Sequence, residues 1–206
     1  MSAGATVFVV DDNAGVRTSL RALMESVGIA IETYASGEEF LQAYDPERPG
    51  CLVLDVRLRA GASGLDLQDE LRRRNATLPI IVLTGHGNVP TSVRALKAGA
   101  VDFLQKPVPP QALLERIRTA IETDRQARDA AMQHGDVRAR IAQLTPRERQ
   151  VMELLVKGQT SKEIGYDLHL SVRTVEAHRR AVLRKMDVTS AAQLVRAVIA
   201  VPAGDE

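Results

Sequence analysis

The first half of the chain alternates two hydrophobic periods. Thr6-Val7-Phe8-Val9-Val10 is an unbroken apolar run of strand length. Val16, Leu20, Leu23, Met24 and Val27 then recur at the spacing of one helical face. Further short apolar runs at Ile29–Tyr34, Cys51–Asp55, Leu78–Leu83 and Val101–Leu104 predict four more strands. Between them, Leu65–Arg74 and Pro90–Ala98 read as helices, and Ser36-Gly37-Glu38-Glu39 is a capping box that opens a short one. Apolar strands alternating with helices predict a parallel sheet covered on both faces, the doubly wound α/β class.

The helix expected from Pro110 carries Leu113, Leu114, Ile117 and Ile121 at core spacing. Beyond Ile121 the apolar stripe fades into good helix formers with no core face. This predicts a long helix that leaves the first domain as a semi-rigid spacer, interrupted at Gly135; a flexible linker is the alternative. From Leu144 the strand signal disappears. Thr145-Pro146-Arg147-Glu148 is a capping box with proline at the first helical position, and Thr160-Ser161-Lys162-Glu163 is a second. Ser171 and Ser190 can cap two more helices. The expected organisation is a domain over 1–124, a helical linker over 125–142 and a small all-α domain of four helices over 143–206.

Composition narrows the class. The chain has 206 residues, 45% hydrophobic and 26% charged, as a globular protein of one or two domains would. Aromatic residues make up only 3% and tryptophan is absent, which argues against stacking platforms for single-stranded nucleic acid. The single cysteine, Cys51, excludes an intramolecular disulfide and fits a reducing compartment. No apolar run approaches the roughly 20 residues needed to span a bilayer, and the first residues lack the basic and apolar regions of a signal peptide. The expected location is the cytoplasm. The net charge of +1 conceals an asymmetry: residues 1–124 carry −3, residues 125–142 carry +2 and residues 143–206 carry +2. Ser171–Lys185 alone holds Arg173, Arg179, Arg180, Arg184 and Lys185 against one acid, Glu176. A solvated helix face and a surface for an acidic partner both fit that cluster.

Chemistry concentrates at strand ends. Asp11 and Asp12 follow the first strand, Asp55 ends the third, Thr84 the fourth, and Lys106 follows the fifth. In a doubly wound sheet of order 2-1-3-4-5 the first and third strands are neighbours at the topological switch point. Three carboxylates meeting there repel one another unless a cation joins them, and hard oxygen ligands with room for water suit Mg²⁺. A hydroxyl, an ammonium and a divalent cation around one carboxylate neutralise a phosphoryl group. Taken singly, each residue has a plainer reading: a helix cap for an Asp, a backbone partner for Thr84, a surface charge for Lys106. All five at the carboxyl ends of strands in this order leave those readings weak.

Val9-Val10-Asp11-Asp12, Leu52-Val53-Leu54-Asp55, Ile81-Val82-Leu83-Thr84-Gly85 and Phe103-Leu104-Gln105-Lys106-Pro107 resemble a response-regulator receiver. Leu144-Thr145-Pro146-Arg147-Glu148, Gly158–Ile164 and Thr174-Val175-Glu176-Ala177-His178 resemble the LuxR-type output domain. Together they resemble the FixJ/NarL class of two-component transcription regulators over nearly the whole chain. The resemblance implies that Asp55 is the phosphoacceptor, supplied by the phosphohistidine of a sensor histidine kinase. It implies Mg²⁺ held by Asp12, Asp55 and the backbone carbonyl of Arg57, with Asp11 acting mainly through water. Thr84 and Lys106 would contact the phosphoryl oxygens, Thr84 and Phe103 would be the switch residues, and Lys106–Pro107 would be cis. For Phe103, core packing is the plain alternative. Implied partners are the kinase, double-stranded operator DNA, a second copy on phosphorylation and RNA polymerase, with no membrane.

One segment departs from the family. Val56–Gly64 lacks the usual proline and is longer by one residue, which bears on metal affinity and kinase docking. A haloacid-dehalogenase type phosphohydrolase also uses Asp, Thr and Lys, but needs an acid two positions after its nucleophile. Here Arg57 follows Asp55 and Asn13 follows Asp11, so an enzyme is not expected. A DNA-binding protein independent of phosphate is a third reading, weakened by the complete Asp/Thr/Lys set. Arg57 and His86, two residues past Asp55 and Thr84, are expected to crowd the water approaching an aspartyl phosphate and prolong its life. The opposite reading, His86 as a general base, stays open.

Thr160–Leu168 and Ser171–Met186 read as a helix-turn-helix. Val175, Leu183 and Met186 can face the core, and Arg173, Glu176, Arg180 and Arg184 form the opposite face, as major-groove reading requires. By family position Glu176, Ala177 and Arg180 point at bases, while Lys162, Thr174, His178 and Arg179 contact phosphates. For His178 a buried spacer is an equal alternative. The resemblance implies dimerisation through Val93, Arg94, Lys97 and Val101 in the first domain and, on DNA, through the last helix at Leu194 and Val198; for that helix, core packing alone is the plain alternative.

Overall fold

The computed structural model describes residues 4–58, 63–85 and 89–201, with the side chains of residues 89–92 left aside. The chain forms two compact units, Met1–Arg128 and Asp129–Glu206.

The first unit holds five strands: β1 (Thr6–Val10), β2 (Ala30–Tyr34), β3 (Gly50–Asp55), β4 (Ile80–Thr84) and β5 (Asp102–Gln105). They are all parallel, in the order β2-β1-β3-β4-β5. Helices α1 (Ala14–Ser26), α2 (Gly37–Ala43), α3 (Gly64–Arg73), α4 (Val89–Lys97) and α5 (Pro110–Ala142) connect and follow them. The strand period of two sorts the apolar runs onto two cores. Val7, Val9, Cys51, Val53, Ile81 and Leu83 pack with Met24 of α1 and Leu113, Ile117 and Ala120 of α5. Phe8, Val10, Leu52, Leu54 and Val82 pack on the other side with Phe40 of α2, Leu65, Leu67 and Leu71 of α3, and Ala95 of α4. Both faces are therefore covered, and that is why these strands lack polar alternation.

Several expected boundaries move slightly. The fourth strand starts at Ile80 because Leu78 and Pro79 lie ahead of it, where the Pro79 carbonyl accepts from Leu52 N–H at 2.9 Å. The Ser36 cap is present, but Glu39 reaches back to Ala35 N–H (2.7 Å) rather than to the cap residue itself.

Helix α5 corrects one expectation. It runs unbroken through Gly135 to Ala142. A glycine inside a helix costs only about 1 kcal/mol, and apolar contacts on either side can outweigh that. Val137 and Ile141, past the glycine, pack on the core of the second unit. At the other end of the segment expected as linker, Arg128 donates to buried Asp124 (2.9 Å) and to the carbonyls of Pro46, Glu47 and Arg48 (2.9–3.1 Å). The same Asp124 oxygen accepts from Gly50 N–H at 2.9 Å. Residues 125–142 thus contribute side chains to both units.

The second unit packs α6 (Pro146–Val156), α7 (Ser161–Leu168), α8 (Val172–Lys185) and α9 (Ala191–Ala200) around Val151, Met152, Leu155, Ile164, Val175, Val182, Met186 and Leu194. The capping boxes at Thr145/Glu148 and Thr160/Glu163 are both formed, and Ser171 and Ser190 cap α8 and α9. The turn between α7 and α8 is tight. Leu170 N–H bonds back to the Gly165 carbonyl (2.9 Å), and a Cβ on Gly165 would lie 2.8 Å from the Leu170 carbonyl oxygen. His169 takes the left-handed conformation, φ 53°, that ends α7.

The expected dimer role of Leu194 is corrected here. Its side chain is fully buried in the core of its own unit, and a buried side chain has no surface to offer a second copy. Val198 packs partly against the same core, while Ile199 beside it is exposed.

Candidate functional site

The sheet register brings the acidic residues together. Val10 pairs with Leu54, so Asp11, the next residue, stands beside Asp55. Asp55 pairs with Leu83 and Thr84 pairs with Gln105, so Thr84 and Lys106 follow at successive steps along the same carboxyl edge. Ligand oxygens of Asp11, Asp12 and Asp55 lie within 4.8 Å of one another. Lys106 Nζ stands between two of them, 2.7 Å from Asp11 Oδ2 and 2.6 Å from Asp55 Oδ2. The Lys106–Pro107 peptide is cis.

Local structure holds each group in place. The Asp11 carboxylate accepts from Asn13 N–H at 2.8 Å, and the Asn13 side chain in turn caps α1. Arg17 donates to the Asp11 carbonyl at 2.6 Å. Asp55 Oδ1 accepts from Arg57 N–H at 3.0 Å, which leaves Oδ2 to the lysine. Gly64, the first residue of α3, lets that helix approach the acceptor strand: a Cβ there would fall 2.1 Å from the Asp55 carbonyl oxygen. Gly64 N–H also bonds to the Val56 carbonyl at 2.9 Å. Sequence reasoning did not mark this glycine; its place at a helix start shortly after an acidic strand end was the available signal.

The electrostatics follow from burial. Asp11 is 1% exposed, and loss of water raises its carboxyl above the ordinary value despite the hydrogen bonds from Lys106 and Asn13. For Lys106, burial works to lower the value, but hydrogen bonds to Asp11 and Asp55 outweigh it and hold the ammonium above the lysine norm. Thr84 is buried, and its carbonyl accepts Lys106 N–H at 2.7 Å, which ties the two residues at the sheet edge. Phe103 is half-buried against the α2–α3–α4 core. His86 and the loop residues 59–62 lie outside the described residues; Arg57 is exposed.

Residues 7–118 match the response regulator receiver domain, and residues 142–198 match the bacterial regulatory proteins of the luxR family. The chain belongs to the two-component response regulators. The regulator is 45% identical to nodulation protein W of Bradyrhizobium diazoefficiens, over 95% of this chain and 86% of that protein. It is also 45% identical to the transcriptional regulatory protein FixJ of Azorhizobium caulinodans, over 92% of this chain and 90% of that one. Among solved structures the response regulator StyR superposes with a TM-score of 0.84 at 41% identity, covering 96% of this chain and 99% of its own.

In the LuxR-type domain of the regulator, α8 has a packed side and an exposed side. Val175 and Met186 are buried, as is Val182, which the sequence reading omitted, and Leu183 is half-buried. Arg173, Ala177, Arg180 and Arg184 are exposed, as is Lys162 on α7. Thr174, His178 and Arg179 are half-buried, with the Thr174 hydroxyl 2.8 Å from that of Ser171. Glu176 differs from the exposed arginines: its Oε1 accepts a hydrogen bond from the Ser161 hydroxyl and lies 3.7 Å from the Arg179 guanidinium. In the receiver, Val93 and Val101 are 43% and 47% exposed on the α4–β5 side, joined by exposed Leu96, which the sequence reading also omitted. Lys97 is exposed, and Arg94 lies 3.4 Å from Asp69 and 3.6 Å from Asp66. No described helix is long and apolar enough to cross a membrane.

Proposed function

We propose that the regulator takes a phosphoryl group onto Asp55 from a sensor histidine kinase and in that state binds double-stranded DNA as a dimer. The observation that carries this reading is the convergence of Asp11, Asp12 and Asp55, with Lys106 lying across two of the three carboxylates. The donor set fits Mg²⁺: hard carboxylate oxygens of Asp11, Asp12 and Asp55 gathered at one edge. By family resemblance the backbone carbonyl of Arg57 would be a further ligand. Asp12 and Asp55 would hold the ion and Asp11 would reach it through water. When bound, the ion would supply positive charge to offset that of the phosphoryl group.

The chain's own residues do the rest. An Asp55 oxygen attacks phosphorus, the O–P bond forms as the N–P bond of the phosphohistidine breaks, and the imidazole leaves with a proton. Asp55 Oδ1 accepts from Arg57 N–H and Oδ2 from Lys106 beforehand, and each keeps a lone pair for the incoming group. Asp11 Oδ2 keeps the ammonium in the site meanwhile, ready to turn onto a phosphoryl oxygen. Thr84, at the next strand end, supplies a hydroxyl to another oxygen, and Phe103 on the neighbouring strand relays that movement. The exposed apolar side chains Val93, Leu96 and Val101 support a dimer through the α4–β5 face, with Arg94 and Lys97 at its edge. On α8, Glu176, Ala177 and Arg180 address bases. Arg173, Thr174, His178, Arg179 and Arg184, with Lys162 of α7, address the backbone and flanking positions. The 125–142 stretch serves as the helical link between the receiver and output functions.

Incubation with a small acyl phosphate and Mg²⁺ should add one phosphoryl group to the wild-type chain and none to Asp55→Asn. Equal labelling of the two would overturn the assignment.

A further inference from the structure

Glu176 is the one acid among the side chains that α8 turns toward DNA in the proposed function, and on which this inference rests. A carboxylate brought to a major groove lined by phosphates is repelled unless a base donates to it, as the cytosine N4 amino group can. It therefore selects a base only if its oxygen is held where the donor arrives. A free glutamate loses side-chain entropy on being fixed there, and it can also fold back onto a neighbouring cation. In this structure the residue is held from outside its own helix. Ser161, the first residue of α7, donates its hydroxyl to Glu176 Oε1. The same oxygen faces the Arg179 guanidinium at 3.7 Å, while Oε2 carries no hydrogen bond among the described residues.

We infer that Ser161 is a specificity-determining positioning residue: by anchoring Oε1, it presents Glu176 Oε2 to a single base donor. Ser161 is half-buried and its hydroxyl is committed to Glu176, so it acts through the glutamate rather than on DNA. It does not serve as a helix cap. The Thr160 side chain holds that role, accepting from Glu163 N–H. Removing the Ser161 hydroxyl should therefore alter reading at one base pair and leave the helix start intact. The hydrogen bond also keeps Glu176 from closing fully onto Arg179, which leaves the arginine available to phosphate.

The test uses the full-length phosphorylated regulator. Its preferred sites are selected from a randomised double-stranded DNA pool, and binding to the selected site and to each single-base variant is measured by fluorescence anisotropy. Ser161→Ala should reduce discrimination about three- to tenfold, the range of one hydrogen bond, at a single base pair. That base pair should be the one where Glu176→Ala loses discrimination, and the double variant should be no worse than Glu176→Ala alone. Ser161→Thr should behave as wild type. Thermal melting checks that Ser161→Ala is folded; if it melts early, the shape-matched pair Ser161→Thr and Ser161→Val carries the same comparison. A uniform loss on every sequence would show Ser161 touching phosphate and overturn the inference. So would an unchanged profile in a wild type that is itself selective. A wild type that selects no sequence at all sinks the DNA-reading assignment and this inference with it.

Discussion

The two ends of the regulator solve charge in opposite ways. In the receiver, Asp11 and Asp55 share the Lys106 ammonium at 2.7 and 2.6 Å, and Asp11 is almost fully buried. On α8, Arg173, Arg180 and Arg184 are exposed, while Glu176 is held by Ser161 from the neighbouring helix. Buried charge is costly alone and strong in company, whereas exposed charge is cheap and weak. The receiver site should therefore respond to one substitution nearly all-or-none. The exposed face of α8 should respond in graded, separable steps.

The strongest way to break this contrast is Lys106→Met. It leaves Asp11 and Asp55 facing each other without their shared cation, at a cost of about 3 kcal/mol in the stability of the receiver. Added Mg²⁺ should restore part of that loss, so its stabilising effect should be larger in the variant than in the wild type. Calorimetry with and without Mg²⁺ checks both points. Equal melting of the two proteins would mean that the carboxylates do not need the lysine.

On the DNA side, Arg180→Ala should cost about 1–3 kcal/mol on the preferred site and relax selectivity at one base pair. Lys162→Ala should weaken all sequences alike and flatten the salt dependence by about one ion. Binding titrations across salt concentration separate the two. If Arg180→Ala and Lys162→Ala gave the same uniform loss, α8 would not be reading bases.

The smallest effect tests whether the output domain has any charge of the receiver kind. Glu148 is buried, with Lys185 at 2.7 Å and the Thr145 N–H at 2.8 Å. The Lys185 hydrogen bond, followed by that from Thr145, holds its carboxyl below the ordinary value. A depressed carboxyl contributes stability that is present above its unfolded value and is lost as pH falls through the folded one. Glu148→Gln should thus destabilise the output domain by about 1 kcal/mol at neutral pH. The two proteins should converge in acid below the ordinary glutamate range. A pH series of thermal unfolding reads this, and a constant difference down to strong acid would contradict it.

Much of the regulator was legible in one dimension because its signals are local. Apolar runs such as Thr6–Val10, caps such as Thr145 and Thr160, and the basic face of α8 depend only on neighbours a few residues away. Strand order could also be expected, and with it the meeting of Asp11, Asp12, Asp55, Thr84 and Lys106 at one edge. What needed the folded chain was whatever depends on distance between remote segments. Gly64 reads as an ordinary turn residue until α3 is laid against the Asp55 carbonyl. Gly135 reads as a break until the helix beyond it is seen to pack on a core. Leu194 belongs to an apolar stripe whose sequence does not say whether it faces inward or toward a partner, and only packing buries it. Ser161 and Glu176 lie fifteen positions apart, and no propensity or period connects them. Periodicity fixes which face a side chain occupies, but what stands opposite that face is set by the packing of whole elements. That is a tertiary property because it is the surface area and charge of both partners together that decide it.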